Sequence, residues 1–156
     1  MSFNFTNGFR ADYAKWAAGY RIRVNGNDCS WVKTEQLDVS YPTFRKYLNQ
    51  VFTFAGTSSL SRELVPVANI HDLHAGDVFI QGGFPGHAVI VVDTAVNPRT
   101  RQKVFLLAQS YMPAQDIQLL RNPNQTGLSP WYPLEFGETL VTPEWTFKRT
   151  DLKRFG

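Results

Sequence analysis

The chain has little of what usually announces a compartment or a partner. It holds one cysteine, Cys29, among 156 residues, so it can form no internal disulfide, and cysteine usage points to no oxidising compartment. No apolar run approaches the 18 or so residues that span a bilayer, and the N-terminus does not have the pattern of a signal peptide. The residues alone therefore leave the localisation unknown. Basic residues outnumber acidic ones only 16 to 13, with no basic block, which is too thin for a nucleic-acid partner. Internal repeats, low-complexity tracts and linkers are absent.

What is present describes a packed globule. A hydrophobic content of 43% against 19% charge argues against disorder. At this length one domain is expected, 1–156, burying roughly 68–70% of its unfolded surface. Aromatics are abundant, and several sit beside Pro or Gly, as in Pro130-Trp131-Tyr132-Pro133. Trp131, Tyr132 and Tyr111 are candidates for the wall of a substrate groove, with core packing as the alternative.

Taken in order, Met1–Phe5 reads as a strand cut into mid-domain. Residues 9–19 read as a short helix, with Phe9, Tyr13, Trp16 and Ala17 on one face and Gly19 as the stop. Tyr20–Val24 alternates like a strand, Asn25-Gly26-Asn27-Asp28 is turn chemistry, and Cys29–Val32 can return as its partner. Ser40 is placed to cap a helix to about Ala55. Pro42 sits in its first turn, and Phe44, Tyr47, Leu48, Val51 and Phe52 share a side. Gly56 ends it, and Thr57 or Ser58 opens a short helix through Leu64. Residues 111–150 are rich in Pro, Asn and Gly and read as loops wrapping a sheet, with one late strand over Thr142–Phe147.

The centre of the chain is Gly76–Asp93, with Val104–Gln109 behind it. Two apolar runs, 78–80 and 88–92, flank the turn Gly82-Gly83-Phe84-Pro85-Gly86, as two buried strands joined by a turn do. Asp77, after Gly76, reads as a turn anchor through its carboxylate, and Gly86 as a structural residue of the turn. His87 stands at the mouth of the second strand, its backbone held by a sheet and its ring near a loop, which suits a rigid but reachable base. If that strand ends near Asp93 and its partner begins near Lys103, the loop Thr94–Gln102 closes an antiparallel pair and His87 falls opposite Gln109. Directly opposed residues lie roughly 4.5–5.5 Å apart at Cα on one face. Gln109 could then hold the imidazole in one tautomer, the orienting role of triad chemistry. A slip by one residue would separate them to opposite faces.

These residues carry a resemblance. Gly-Asp-x-Phe-Ile, a Gly-rich turn and Gly86-His87-Ala88-Val89-Ile90-Val91-Val92-Asp93 resemble the papain-like fold of NlpC-type cell-wall peptidases and amidases, over about residues 60–110. The resemblance implies His87 as base and Gln109, on the next strand, as its orienter. Over nearly the whole chain there is a closer likeness to a bacterial domain family of unknown function. It rests on the runs Phe5–Phe9, Phe54–Leu60, Ala108–Gln115, Ser129–Tyr132 and Thr142–Trp145. Members of that family resemble exported proteins, which implies an extracytoplasmic setting. They carry a cysteine on a helix ahead of the counterpart of Phe5, so by that resemblance this chain reads as lacking an N-terminal segment of the family domain.

The nucleophile is less legible. Asp28-Cys29-Ser30 is similar to the opening of the NlpC-type nucleophile helix, and a free thiol with pKa near 8.5 becomes reactive when a helix N-terminus and an imidazolium lower it. Against this, Trp31 replaces a small glycine, and the surrounding pattern reads better as a hairpin. Ser58 and Ser59 are alternatives that capping explains well. The favoured alternative places the nucleophile in the missing segment. His71 and His74, near Asp72, fall short of the three or four converging ligands of a zinc site, so no metal and no cofactor are expected. Gly82, Gly83 and Gly86 lack the Lys-Ser/Thr of a phosphate loop.

The expectation is thus an α+β, papain-like (NlpC-type) domain with helices packed on a small antiparallel sheet. Its function would be a cysteine hydrolase of amide bonds, with His87, Gln109 and Cys29 catalytic and oxyanion-stabilising amides at the nucleophile helix. The ligand would be a peptide or cell-wall fragment. The competing expectation is a catalytically incomplete binding domain that keeps the groove.

Overall fold

The computed structural model describes residues 1–111 and 115–156; Met112, Pro113 and Ala114, part of the run that carries the family likeness, lie outside them. The fold is mixed α/β, mostly sheet with few helices. The chain divides into two compact units, Met1–Glu63 and Leu64–Gly156.

In the first unit β1 (Ser2–Asn4) pairs antiparallel with β2 (Arg10–Asp12). This pairing shortens the helix expected over 9–19. Ser2–Asn4 claims residues 10–12 as a strand, and the Asp12 carboxylate then caps α1 (Tyr13–Ala17) by accepting from the Ala14 N–H at 2.7 Å. Gly19 stops it with φ +92. β3 (Tyr20–Asn25) and β4 (Asp28–Lys33) form the expected hairpin. Its two-residue turn has Gly26 first, at φ +61, the position where such a turn needs a left-handed backbone.

α2 (Tyr41–Phe54) buries Thr43, Tyr47 and Val51, one face of a 3.6-residue period, whereas Phe52 is exposed. Ser40 holds the N-cap position as expected, but without a cap hydrogen bond from its hydroxyl; instead the Asp38 carboxylate accepts from the Ser40 N–H at 2.8 Å and the Thr43 hydroxyl at 2.5 Å. The Thr43 hydroxyl first, then Ser40, hold that carboxyl at about 2. α3 (Thr57–Glu63) follows. The core gathers Phe5, Ala11, Trp16, Tyr47 and Val51.

Gly19 makes a close approach as well as a turn. Its carbonyl accepts from the N–H groups of Thr34 and Glu35, both at 3.1 Å. A Cβ built on it would stand 2.1 Å from the Glu35 carbonyl oxygen. Gly19→Ala is therefore expected to destabilise this unit by about 1–3 kcal/mol, read as a lower urea midpoint followed through Trp16 and Trp31 fluorescence. An unchanged midpoint would refute the close approach.

The second unit is built on one sheet. β5 (Val65–Pro66), β6 (Val78–Gln81), β7 (His87–Val96), β8 (Lys103–Gln109), β9 (Gln118–Leu119), β10 (Tyr132–Pro133) and β13 (Leu152–Arg154) lie in the order β10-β8-β7-β6-β13-β5. β9 pairs β8 as well, beside Ala108 and Gln109. β11 (Thr139–Val141) and β12 (Thr146–Lys148) form a separate hairpin. The single strand expected over Thr142–Phe147 is thus the turn and second arm of this hairpin. The Thr142 hydroxyl and the Trp145 backbone close the turn, and Pro143 inside it has no N–H to give a ladder.

β7 runs to Val96, and the loop is 97–102 rather than Thr94–Gln102. The ladder starts with Val96 opposite Lys103, then shifts between Val91 and Asp93, so that Ile90 faces Ala108 and Val91 faces Leu107. Val89, Val91, Phe105 and Leu107 are core residues, and His87 and Gln109 continue the same two alternating rows.

Candidate functional site

Continuing the observed ladder, Gln109 falls opposite Val89, not opposite His87. The expected register is corrected by two residues, and the bulge is what keeps the pair on one face. At the loop end the displacement is three residues, which is odd and would put Gln109 on the far side of the sheet. The extra residue at the bulge reduces it to two, an even number that restores the face. His87 and Gln109 are then diagonal neighbours, roughly 7–8 Å apart in the backbone, within reach of long side chains.

They meet. His87 Nε2 lies 2.6 Å from Gln109 Oε1, with His87 8% and Gln109 3% exposed. A carbonyl oxygen only accepts, so Nε2 carries the proton and donates it, and the lone pair of the neutral ring sits on Nδ1. Among the described residues Nδ1 has no hydrogen-bond partner. The other end of Gln109, Nε2, donates to Glu144 Oε2 at 2.7 Å.

Aromatic rings hold the imidazole on several sides. Tyr111 meets it edge-on at 5.2 Å, Trp145 is tilted at 5.5 Å, and Phe147 stacks at 6.0 Å between centroids. Trp145 is itself pinned: its Nε1–H donates to Gln81 Oε1 at 2.9 Å, and Gln81 Nε2 donates to Asp151 Oδ2 at 2.7 Å. Gln81 is also the strand partner of His87. Sequence reasoning assigned no site role to Gln81, Glu144 or Asp151, and read Trp145 only as one of the aromatics near a proline, within the late strand over Thr142–Phe147. The run Thr142–Trp145 was the available signal, but nothing local says where a turn 55 or more residues downstream will land.

Of the three groove aromatics only Tyr111 is beside His87. Trp131 lines a cleft of about 400 Å³ with Val96, Pro98 and Arg99, at the loop end of β7 and β8. His87 is at the other end of β7, nine residues from Val96 and so roughly 30 Å away at 3.4 Å per residue. Tyr132 is a correction: it is 2% exposed, its ring stacks on Phe105, and its hydroxyl donates to the Arg121 carbonyl at 2.5 Å. Burial, chiefly, pushes its phenol above the ordinary value. It is a core anchor because the Phe105 pairing of β10 turns it inward.

Asp77, just ahead of β6, ties that strand to β13. Its carboxylate, fully buried, accepts from Arg154 Nε at 2.6 Å and Nη2 at 2.9 Å and from the His74 N–H at 3.0 Å. In the Gly-rich turn, Gly86 leads directly into β7, and the glycine with a left-handed backbone is Gly83, φ +146. His71 faces Glu135 at 3.7 Å, whereas the His74 ring lies 2.8 Å from the Ala75 carbonyl. No group of three or more metal-ligating side chains occurs among the described residues.

Cys29 belongs to the first unit, on β4 and opposite Val24. It is on a hairpin strand rather than at a helix start, contrary to the likeness of Asp28-Cys29-Ser30 to a nucleophile helix. Its Sγ is 3.3 Å from Asn7 Nδ2, in a cleft of about 420 Å³ lined by Phe5, Val24 and Phe54 among others. Ser59 is spent on the Gly56 backbone and Ser58 accepts from Arg62.

Residues 1–154 match the model of a family described as Domain of unknown function (4846), and the chain belongs to that family. No curated protein and no solved structure matches the chain. Among the described residues no helix is long and apolar enough to cross a membrane.

Proposed function

We propose that the chain is a papain-like, NlpC-type cysteine hydrolase domain acting on amide bonds, with cell-wall peptide in an extracytoplasmic bacterial setting as its substrate class. The observation that supports this most is the His87–Gln109 pair: a nearly buried imidazole whose Nε2–H is bonded at 2.6 Å, leaving Nδ1 as the basic nitrogen. In the proposed reaction Nδ1 takes the proton of an attacking thiol, the thiolate adds to the amide carbonyl, and the imidazolium returns its proton to the leaving amine. Water, deprotonated by the same nitrogen, then releases the acyl group. The thiol this chemistry calls for has a single candidate in the chain, Cys29.

A second reading, a catalytically incomplete domain that binds peptide or cell-wall fragments, draws support from a different observation. Residues 64–156, which hold His87, contain no cysteine, and Cys29 sits on a hairpin strand.

The test is amide hydrolysis of cell-wall peptides by the wild-type chain, His87→Ala and Cys29→Ser. The hydrolase reading expects His87→Ala to lose about 10²–10⁴-fold in kcat and Cys29→Ser to be inactive. Hydrolysis that survives His87→Ala would remove the base assignment. No hydrolysis, together with peptide binding that His87→Ala weakens, would establish the binding domain instead.

A further inference from the structure

We infer that Glu144 is a positioning residue that selects the tautomer of His87 through Gln109. The inference rests on the reading of His87 as a base. The chain of reasoning uses only which groups donate and which accept. A primary amide has two ends of similar shape, and both ends of Gln109 are engaged, Oε1 with His87 Nε2 at 2.6 Å and Nε2 with Glu144 Oε2 at 2.7 Å. A carboxylate only accepts, so the NH₂ end of Gln109 must face Glu144. The oxygen end is then forced toward the ring. That oxygen also only accepts, so the ring nitrogen facing it must carry the proton, which leaves the lone pair on Nδ1. Glu144 thereby decides which nitrogen can take a proton without touching the ring.

The fold delivers this carboxylate with some precision. Glu144 lies in the turn that joins β11 to β12, closed by the Thr142 N–H and hydroxyl on the Trp145 carbonyl, each at 2.8 Å. Trp145, the next residue, packs on the imidazole and is anchored through Gln81 to Asp151. One turn therefore holds His87 in two ways: an indole against the ring, and a carboxylate behind the amide that orients it. Glu144 is exposed, so it can be replaced without opening the core.

The decisive variant exchanges an acceptor for a donor. In Glu144→Lys the ammonium can only donate, so Gln109 turns its oxygen toward it and presents NH₂ to the ring. His87 Nε2 must then accept, and the proton moves to Nδ1. The readout is the long-range ¹H–¹⁵N correlation spectrum of His87, recorded above the pH at which its ring titrates. The wild type is expected to show Nε2–H as the major tautomer and Glu144→Lys to show Nδ1–H. The double variant Glu144→Lys/Gln109→Glu, whose new carboxylate accepts from both ring and ammonium, is expected to restore Nε2–H. An unswitched spectrum in Glu144→Lys overturns the inference, and so does Nδ1–H as the major form in the wild type, which needs no variant to fold.

Hydrolysis measured on the same proteins separates this inference from the reading beneath it. If the wild type hydrolyses amides, Glu144→Lys is expected to lose about 10²–10⁴-fold in kcat with KM held, the size of a general-base contribution and of a wrong-tautomer defect. A tautomer switch without hydrolysis by the wild type leaves the role of Glu144 standing and fails the hydrolase. Hydrolysis that needs His87, with no switch in Glu144→Lys, does the reverse.

Discussion

Phe79→Ala is expected to cost the second unit about 3–5 kcal/mol, the range for emptying a fully enclosed aromatic site. Phe79 is completely buried on β6, between Val89 of β7 and Leu152 of β13. Its ring meets Phe105, Phe136 and Phe147 at centroid distances of 6.0, 5.9 and 6.2 Å. Truncation removes a partner from all three rings at once, and a close-packed interior relaxes only partly around the void. Phe147 is also the platform on which the His87 imidazole stacks, so the same substitution should loosen the site before the sheet melts. Denaturant unfolding measures the first effect, and line broadening of the His87 ring signals the second. For a unit of this size each kcal/mol lowers Tm by about 4–8 °C. A loss under about 1 kcal/mol would mean that Phe79 does not occupy the centre of the core.

Asp77→Asn should cost about 2–3 kcal/mol at neutral pH, because the bonds from Arg154 and the His74 N–H to a charged acceptor are replaced by weaker neutral ones. The pH dependence is the sharper test. Burial alone would push the Asp77 carboxyl up, but the Arg154 guanidinium and the His74 N–H outweigh it and hold it below the ordinary carboxylate value. A folded-state pKa that is lowered contributes stability that is fully present above the unfolded value, about 3.9. That stability is lost as pH falls through the lowered folded value. The gap between wild type and Asp77→Asn should therefore be flat from pH 7 to about 5 and close below about pH 4, where protonated Asp77 resembles the amide. A gap that stays constant down to pH 2 would show that the loss is one of packing rather than charge.

His87 and Gln109 show how far local pattern reaches. Both were legible as candidate partners because strand alternation and the Gly-rich turn mark where β7 begins, and Val104–Gln109 marks the next strand. The pairing between them was not legible in detail: the assumed hairpin ended three residues early, and only the bulge between Val91 and Asp93 returned Gln109 to the right face. The same limit explains Tyr132. Flanking prolines made it look like a surface aromatic, and its burial is decided by pairing with Phe105, 27 residues earlier. The short helix α1 follows the same logic, since residues 10–12 are helical by periodicity until β1 competes for them.

By itself, then, the sequence determined the elements whose causes are local: the β3–β4 hairpin around Gly26, α2 with its Thr43–Tyr47–Val51 face, and the two strands that hold His87 and Gln109. It also carried the family, through runs spread over nearly the whole length. Tertiary structure alone decided that Asp77 would find Arg154, that the Cys29 thiol would meet Asn7, and that the turn 142–145 would bring Glu144 and Trp145 to the imidazole. The reason is physical. Periodicity, caps and turns are set by neighbours within a few residues, whereas these contacts join residues 22 to 77 positions apart, and only the packing of the whole unit selects them.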